Sequence, residues 1–150
     1  MPGLEHRIVA GVDGSPSSIS ALRWAVRQAA LTGAAVDAVI AWHYPVGVGG
    51  YGWAPTGMED FDFEENAEKV LADAIGTASD PGSGVPVHAR VAEGNPAQVL
   101  IDASDGADLL VVGSRGHGGF TEALLGSVSQ HCVQHAHCPV VVIRSQEHDP

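Results

Sequence analysis

The chain of 150 residues predicts an α/β fold: one five-stranded, parallel, open sheet with helices on both faces. Three observations carry that expectation. Short apolar runs rich in β-branched residues alternate with stretches of helical period along the whole chain, the pattern of strand-helix-strand units. The first, fourth and fifth of these runs are apolar without alternation, as strands buried on both faces must be. Ser15-Pro16 and Asn95-Pro96 place a polar cap before a proline at the first helical position, each just after a strand.

In order, Arg7 to Val12 reads as the first strand, ended by the turn Asp13-Gly14. The first helix opens at Ser15-Pro16. Ile19, Leu22, Val26 and Ala29/Ala30 form its buried stripe, Arg23 and Arg27 lie off it, and Gly33 stands where a C-terminal glycine belongs. Ala35 to Trp42 is the second strand, parallel to the first through that helix as a right-handed crossover. Residues 43–57, rich in Gly and Pro and carrying Tyr44, Tyr51 and Trp53, form a flexible loop without regular structure. Six carboxylates between Glu59 and Glu68 lead into a second helix, whose inner stripe is Ala67, Val70, Leu71, Ala74 and Ile75; acidic residues at a helix start favour its dipole, so they need no metal. A loop over Asp80 to Gly84 follows, then a third strand (Val85 to Ala92) and a short third helix with Ala97, Leu100, Ile101 and Ser104 inside. Asp108 to Gly113 is the fourth strand. Thr121 to Leu125 and Ser127 to Ala136 form the last helical region, and Cys138 to Ile143 the fifth strand. Residues 1–150 thus read as one domain, with 145–150 as a tail.

The chemistry concentrates between Leu109 and Ser129. The fourth strand runs into four glycines among seven residues, Gly113, Gly116, Gly118 and Gly119, and Gly126-Ser127 then opens another helix. Glycine lets backbone approach a ligand, and amides at a strand-to-helix junction donate to anions. Gly113, Gly116 and Gly126 stand as G-x2-G-x9-G followed by Ser127, which is neither the G-x4-G-K-[ST] loop nor the G-x-G-x-x-G fingerprint. This spacing resembles the nucleotide motif of the universal stress protein family in its ATP-binding branch. Gly94-Asn95-Pro96-Ala97 resembles that family's Gly-x-Pro-Ala turn, and Cys138-Pro139 with Val140 to Ile143 resembles its closing strand. The likeness spans nearly the whole chain.

The resemblance implies a Rossmann-like sheet of the adenine nucleotide α-hydrolase type, binding ATP with Mg²⁺ where strand order switches direction. It implies that Val12 and Asp13 meet the nucleoside, Asp13 near the ribose, with Gly11 and Ser15 in the same binding set, and that Ile40 and Ala41 line the adenine pocket. Gly113, Arg115, Gly116, Gly118 and Gly119 would wrap the phosphates, with Val112 and Ser114 in the same binding set, and Gly126, Ser127, Val128 and Ser129 complete the cradle. It further implies a homodimer paired through Val140 to Ile143, an uncovered apolar edge. Asp13, Arg115 and His117 are the available groups for hydrolysis, but their spacing gives no assembled phosphoryl-transfer site, so the expectation is a regulatory binding module with at most slow ATPase activity. Cyclic AMP or another adenine nucleotide is an alternative ligand. An ATP-pyrophosphatase-type enzyme is a further alternative, which Gly11-Val12-Asp13-Gly14-Ser15 argues against because that group carries a Ser-Gly-Gly-x-Asp-Ser loop there. A partner-binding subunit that no longer holds nucleotide is the third.

Composition narrows the rest. A net charge of −11 with seven scattered Lys and Arg opposes nucleic-acid binding. It also opposes phosphates, so backbone amides, Arg115 and a divalent cation must offset it. No apolar run reaches the roughly 20 residues of a membrane span, and MPGLEHRIVAGVDG lacks a secretory pattern, so the expected setting is cytoplasmic. Cys132 and Cys138 are then expected reduced. With His131, His135 and His137 they invite a metal reading, but no recognised zinc spacing is matched and none is assigned.

Overall fold

The computed structural model describes residues 6–43, 62–115 and 126–144. Its elements follow the expected alternation: β1 (Arg7–Gly11), α1 (Pro16–Thr32), β2 (Ala35–Trp42), α2 (Phe63–Ala78), β3 (Val87–Glu93), α3 (Pro96–Ala103), β4 (Leu109–Gly113), α4 (Ser127–His135) and β5 (Val140–Ile143). All four strand pairings are parallel, in the order β3-β2-β1-β4-β5. The chain therefore builds outward from β1 to one edge, then returns to β4 on the other side. The direction reverses between β1 and β4, which places a crevice outside their carboxyl ends.

Two-residue alternation divides the strands between two cores. Ile8, Ala10, Val12, Val36, Ala38, Ile40 and Val111 pack on one face against Leu22 and Val26 of α1 and Leu71 of α2. Val9, Val39, Leu110 and Val112 face the other way, against Leu100 and Ile101 of α3 and Cys132 of α4. Burying each large aliphatic side chain contributes about 1.5–3 kcal/mol, which is what holds both helical layers on the sheet.

Several boundaries shift by one or two residues for identifiable reasons. β1 ends at Gly11, although the Val12 amide still donates to the Val39 carbonyl at 2.9 Å. β3 begins at Val87 and β5 at Val140, because Pro86 and Pro139 have no N–H to place in a ladder; their carbonyls accept from Val36 and Leu110, both at 2.9 Å. β5 is apolar on both faces, as expected, but only half-buried, since nothing among the described residues pairs with its outer side. Asp37, within the apolar second strand, is 6% exposed and accepts from Arg7 at 3.3 Å and Arg90 at 3.4 Å. Arg7 also donates to the carbonyls of Ala103 and Asp105 at 2.9 Å, tying the end of α3 to the amino-terminal side of the sheet. The expected loop beyond His43, the helical turn Thr121 to Leu125 and the tail lie outside the described residues.

Candidate functional site

The crevice at the switch point is a cleft of about 200 Å³ whose walls come from the ends of β1, β2 and β4 and the starts of α1, α3 and α4. Gly11, Val12 and Asp13 supply the first, leaving β1 toward α1. Gly14 follows with φ of +84°, a conformation that favours glycine, so the chain turns sharply into the helix. The turn is then fixed by local hydrogen bonds. The Ser15 amide donates to Asp13 Oδ1 at 2.8 Å, the Asp13 amide donates to Ser18 Oγ at 3.2 Å, and Ser15 Oγ caps the helix by accepting from the Ser18 amide at 3.3 Å.

Val112, Gly113 and Arg115 form the opposing wall at the end of β4. Ser15 and Ser17 lock this wall to the first. Ser17 Oγ donates to the Arg115 carbonyl and accepts from the Arg115 amide at 3.3 Å, while Ser15 Oγ donates to that carbonyl at 3.4 Å. Gly113 makes the approach feasible: a Cβ there would lie 2.7 Å from the Ser17 carbonyl carbon and 2.8 Å from the Ser18 amide nitrogen. The first glycine of the spaced set thus has a packing duty against α1.

Gly126, Ser127, Val128 and Ser129 give the third wall. The Gly126 amide donates to the Ser114 carbonyl at 2.7 Å, and Ser129 Oγ donates to the Ser114 and Gly126 carbonyls at 3.3 and 3.1 Å. The start of α4 is therefore fastened to the end of β4. α1, α2 and α3 each carry a side-chain cap from Ser15, Asp62 or Asn95, whereas Gly126 gives α4 none. The first-turn amides of a helix have no partners within it, so this uncapped start presents N–H donors and a partial positive charge to the cleft.

The remaining wall, from β2 and the start of α3, is apolar, and of its residues the sequence pointed only to Ala41. Val39, Pro96 and Leu100 join Ala41 there, and Ser18 also reaches the cleft. Ile40, expected in the adenine pocket, does not line this cleft, because alternation along β2 turns Val39 toward α3 and Ile40 toward α1 and α2. Pro96 and Leu100, whose sequence pattern marks only a helix start and a core position, also face the cleft. The lock of Ser15 and Ser17 on Arg115 joins residues about a hundred positions apart and left no signal in the sequence.

Ile40 lines a neighbouring hollow of about 370 Å³ with Trp42, His43 and Phe63, and the two hollows share Asp13, Ala41 and Pro96. Ser15 and Ser114 are buried beside the cleft without lining it, their groups engaged as above. Gly116, Gly118, Gly119 and His117 lie outside the described residues. Cys132 is in the core, where burial, with a smaller push from neighbouring Cys138, raises its thiol to about 11 and keeps it protonated at neutral pH.

Compared with known proteins, residues 5–144 match the profile of the universal stress protein family. A universal stress protein of Mycolicibacterium smegmatis is 39% identical over 137 residues, covering 91% of this chain and 45% of that protein. A universal stress protein of Mycobacterium tuberculosis is 37% identical over 139 residues, covering 91% and 43%. The chain spans about half the length of the curated relatives it matches. A universal stress protein solved in complex with cAMP is similar with a TM-score of 0.66 at 26% identity, covering 93% of this chain and 97% of that one.

Proposed function

The chain belongs to the universal stress protein family, and from that premise we propose that it binds an adenine nucleotide, ATP with Mg²⁺, in the cleft between β1 and β4, as a regulatory module with at most slow hydrolysis. The observation that carries this reading is the uncapped start of α4 opening into a cleft whose other side is the Asp13 turn. In this proposal the phosphates lie against the amides of Ser127, Val128 and Ser129, with Arg115 and the cation offsetting the acidic chain. Gly116, Gly118 and Gly119 are the further phosphate contacts that the family's motif implies. Asp13 accepts from the ribose hydroxyls, and the base lies toward Ala41 and Ile40, where the two hollows meet. The proposal extends to a single domain over 1–150, a cytoplasmic setting and a homodimer paired along β5; no helix among the described residues is long and apolar enough to cross a membrane.

Cyclic AMP is the second reading, favoured by the likeness to the structure solved with that ligand. Calorimetry with ATP, ADP, AMP, cyclic AMP and GTP, with and without Mg²⁺, separates the two. ATP binding that strengthens with Mg²⁺ and exceeds that of cyclic AMP supports the first; the reverse order supports the second. The decisive variant is Gly126→Asp. Gly126 has φ of −66° and ψ of 163°, which aspartate adopts readily, and aspartate is a favoured helix cap, so the melting temperature is expected to hold or rise. Its charge would meet the phosphates, and affinity should fall by more than about tenfold, or about 1.4 kcal/mol. Unchanged affinity in a folded Gly126→Asp protein would refute the placement.

A further inference from the structure

The Cys and His residues between positions 131 and 138 separate in the structure. Cys132 turns into the core between α4 and the sheet, with 0% exposure. His131 and His135 lie on the outer surface of α4, one turn apart. Their imidazoles are neighbours, with ring centres 5.5 Å apart and planes tilted by 38°. Residues four apart on a helix share a face, and a histidine pair at this spacing is the helical half of known zinc sites.

The separation fits one cation held by both rings. With metal-nitrogen bonds of about 2.0–2.1 Å and each ring centre about 1 Å beyond its nitrogen, two imidazoles on a tetrahedral cation have centres roughly 5 Å apart. A helical backbone fixes both attachment points before the cation arrives, so binding orders only the two side chains. Imidazole nitrogen suits Cu²⁺, Ni²⁺ and Zn²⁺ rather than Mg²⁺ or Ca²⁺, which prefer oxygen. Among the described residues no third His, Cys, Asp or Glu joins the pair in a metal-binding group.

We propose that His131 and His135 form a two-histidine surface site on α4 for a borderline divalent transition metal, with water filling the remaining positions. This site lies past the helix start that serves the cleft, and it requires no nucleotide. Two protein ligands make it an open, exchangeable site rather than a structural one, and the affinity order should follow Cu²⁺ above Ni²⁺ and Zn²⁺.

The test is calorimetric titration of untagged, nucleotide-free full-length protein with Cu²⁺, Ni²⁺, Zn²⁺ and Mg²⁺, with melting curves in parallel. One equivalent of Cu²⁺ is expected to bind tightest and to raise the melting temperature, with no Mg²⁺ bound there. His131→Ala and His135→Ala should each weaken binding at least about tenfold, and the double variant little more than either, because losing one ring already ends chelation. Both residues are exposed, so both variants should fold and melt like the wild type without metal. His137→Ala is the control and should retain binding. Retention of the equivalent by the double variant, or its loss with His137→Ala alone, would overturn the assignment. Nucleotide affinity unchanged in the double variant keeps this result separate from that of the cleft.

Discussion

Gly113 and Gly76 differ in what a single methyl group would meet. At Gly113 an added Cβ would press on the backbone of Ser17 and Ser18, at 2.7 and 2.8 Å, which cannot swing aside like the tip of a side chain. Gly113→Ala is therefore expected to cost about 1–3 kcal/mol and lower the melting temperature by several degrees. Gly76, within α2, has nothing within 4 Å of such a methyl. Gly76→Ala should instead stabilise by about 0.5–1 kcal/mol, because alanine loses less backbone freedom in a helix. Paired thermal melts check both signs; equal shifts in the two variants would discredit the close approach of α1 to β4. The spacing of glycines singled out Gly113 from the sequence. Its partner Ser17 was not legible there, because the contact joins residues about a hundred positions apart and serine carries no periodic signal.

Helix starts were the most readable elements, since a cap and its target lie within three residues. Ser15 and Asn95 occupy the expected positions and accept from Ser18 and Gln98 at 3.3 and 3.1 Å. Asp62 accepts from Glu65 at 2.9 Å, with Glu64 and Glu65 in the first turn of α2 as the dipole favours. Asn95→Ala should cost about 1 kcal/mol, lowering the melting temperature by about 2–4 °C, and should leave nucleotide affinity nearly unchanged because the cap faces solvent. A melting curve and a titration on the same sample test that separation, and a large loss of affinity would place α3 in the site more directly than Pro96 and Leu100 do. α4 departs from this rule, and the departure was visible in the sequence as Gly126 where a Ser, Asp or Asn would ordinarily stand.

At the level of the whole molecule, the sheet has two edges, β3 and β5, and β5 is four apolar residues long. Pro139 and Ile143 direct their carbonyls to β4, accepting from Leu110 and Ser114 at 2.9 and 2.8 Å. By alternation Val140 and Val142 direct their backbone groups outward, where another strand can pair. If the proposed homodimer uses this edge, Val142→Pro removes an outward donor while sparing the bonds to β4. Light scattering should then give a dimer for the wild type and a monomer for the variant; a dimer in both would locate the interface elsewhere. By itself the sequence determined the alternation of strands and helices, the caps, the acidic charge and the glycine spacing, because each is expressed in neighbouring residues or in totals. Only the tertiary structure decided that Val39 rather than Ile40 faces the first hollow, that serines of α1 clasp the end of β4, and that His131 parts from Cys132. Those facts depend on which face of an element meets which distant segment, and that is set by packing between parts of the chain that no local pattern connects.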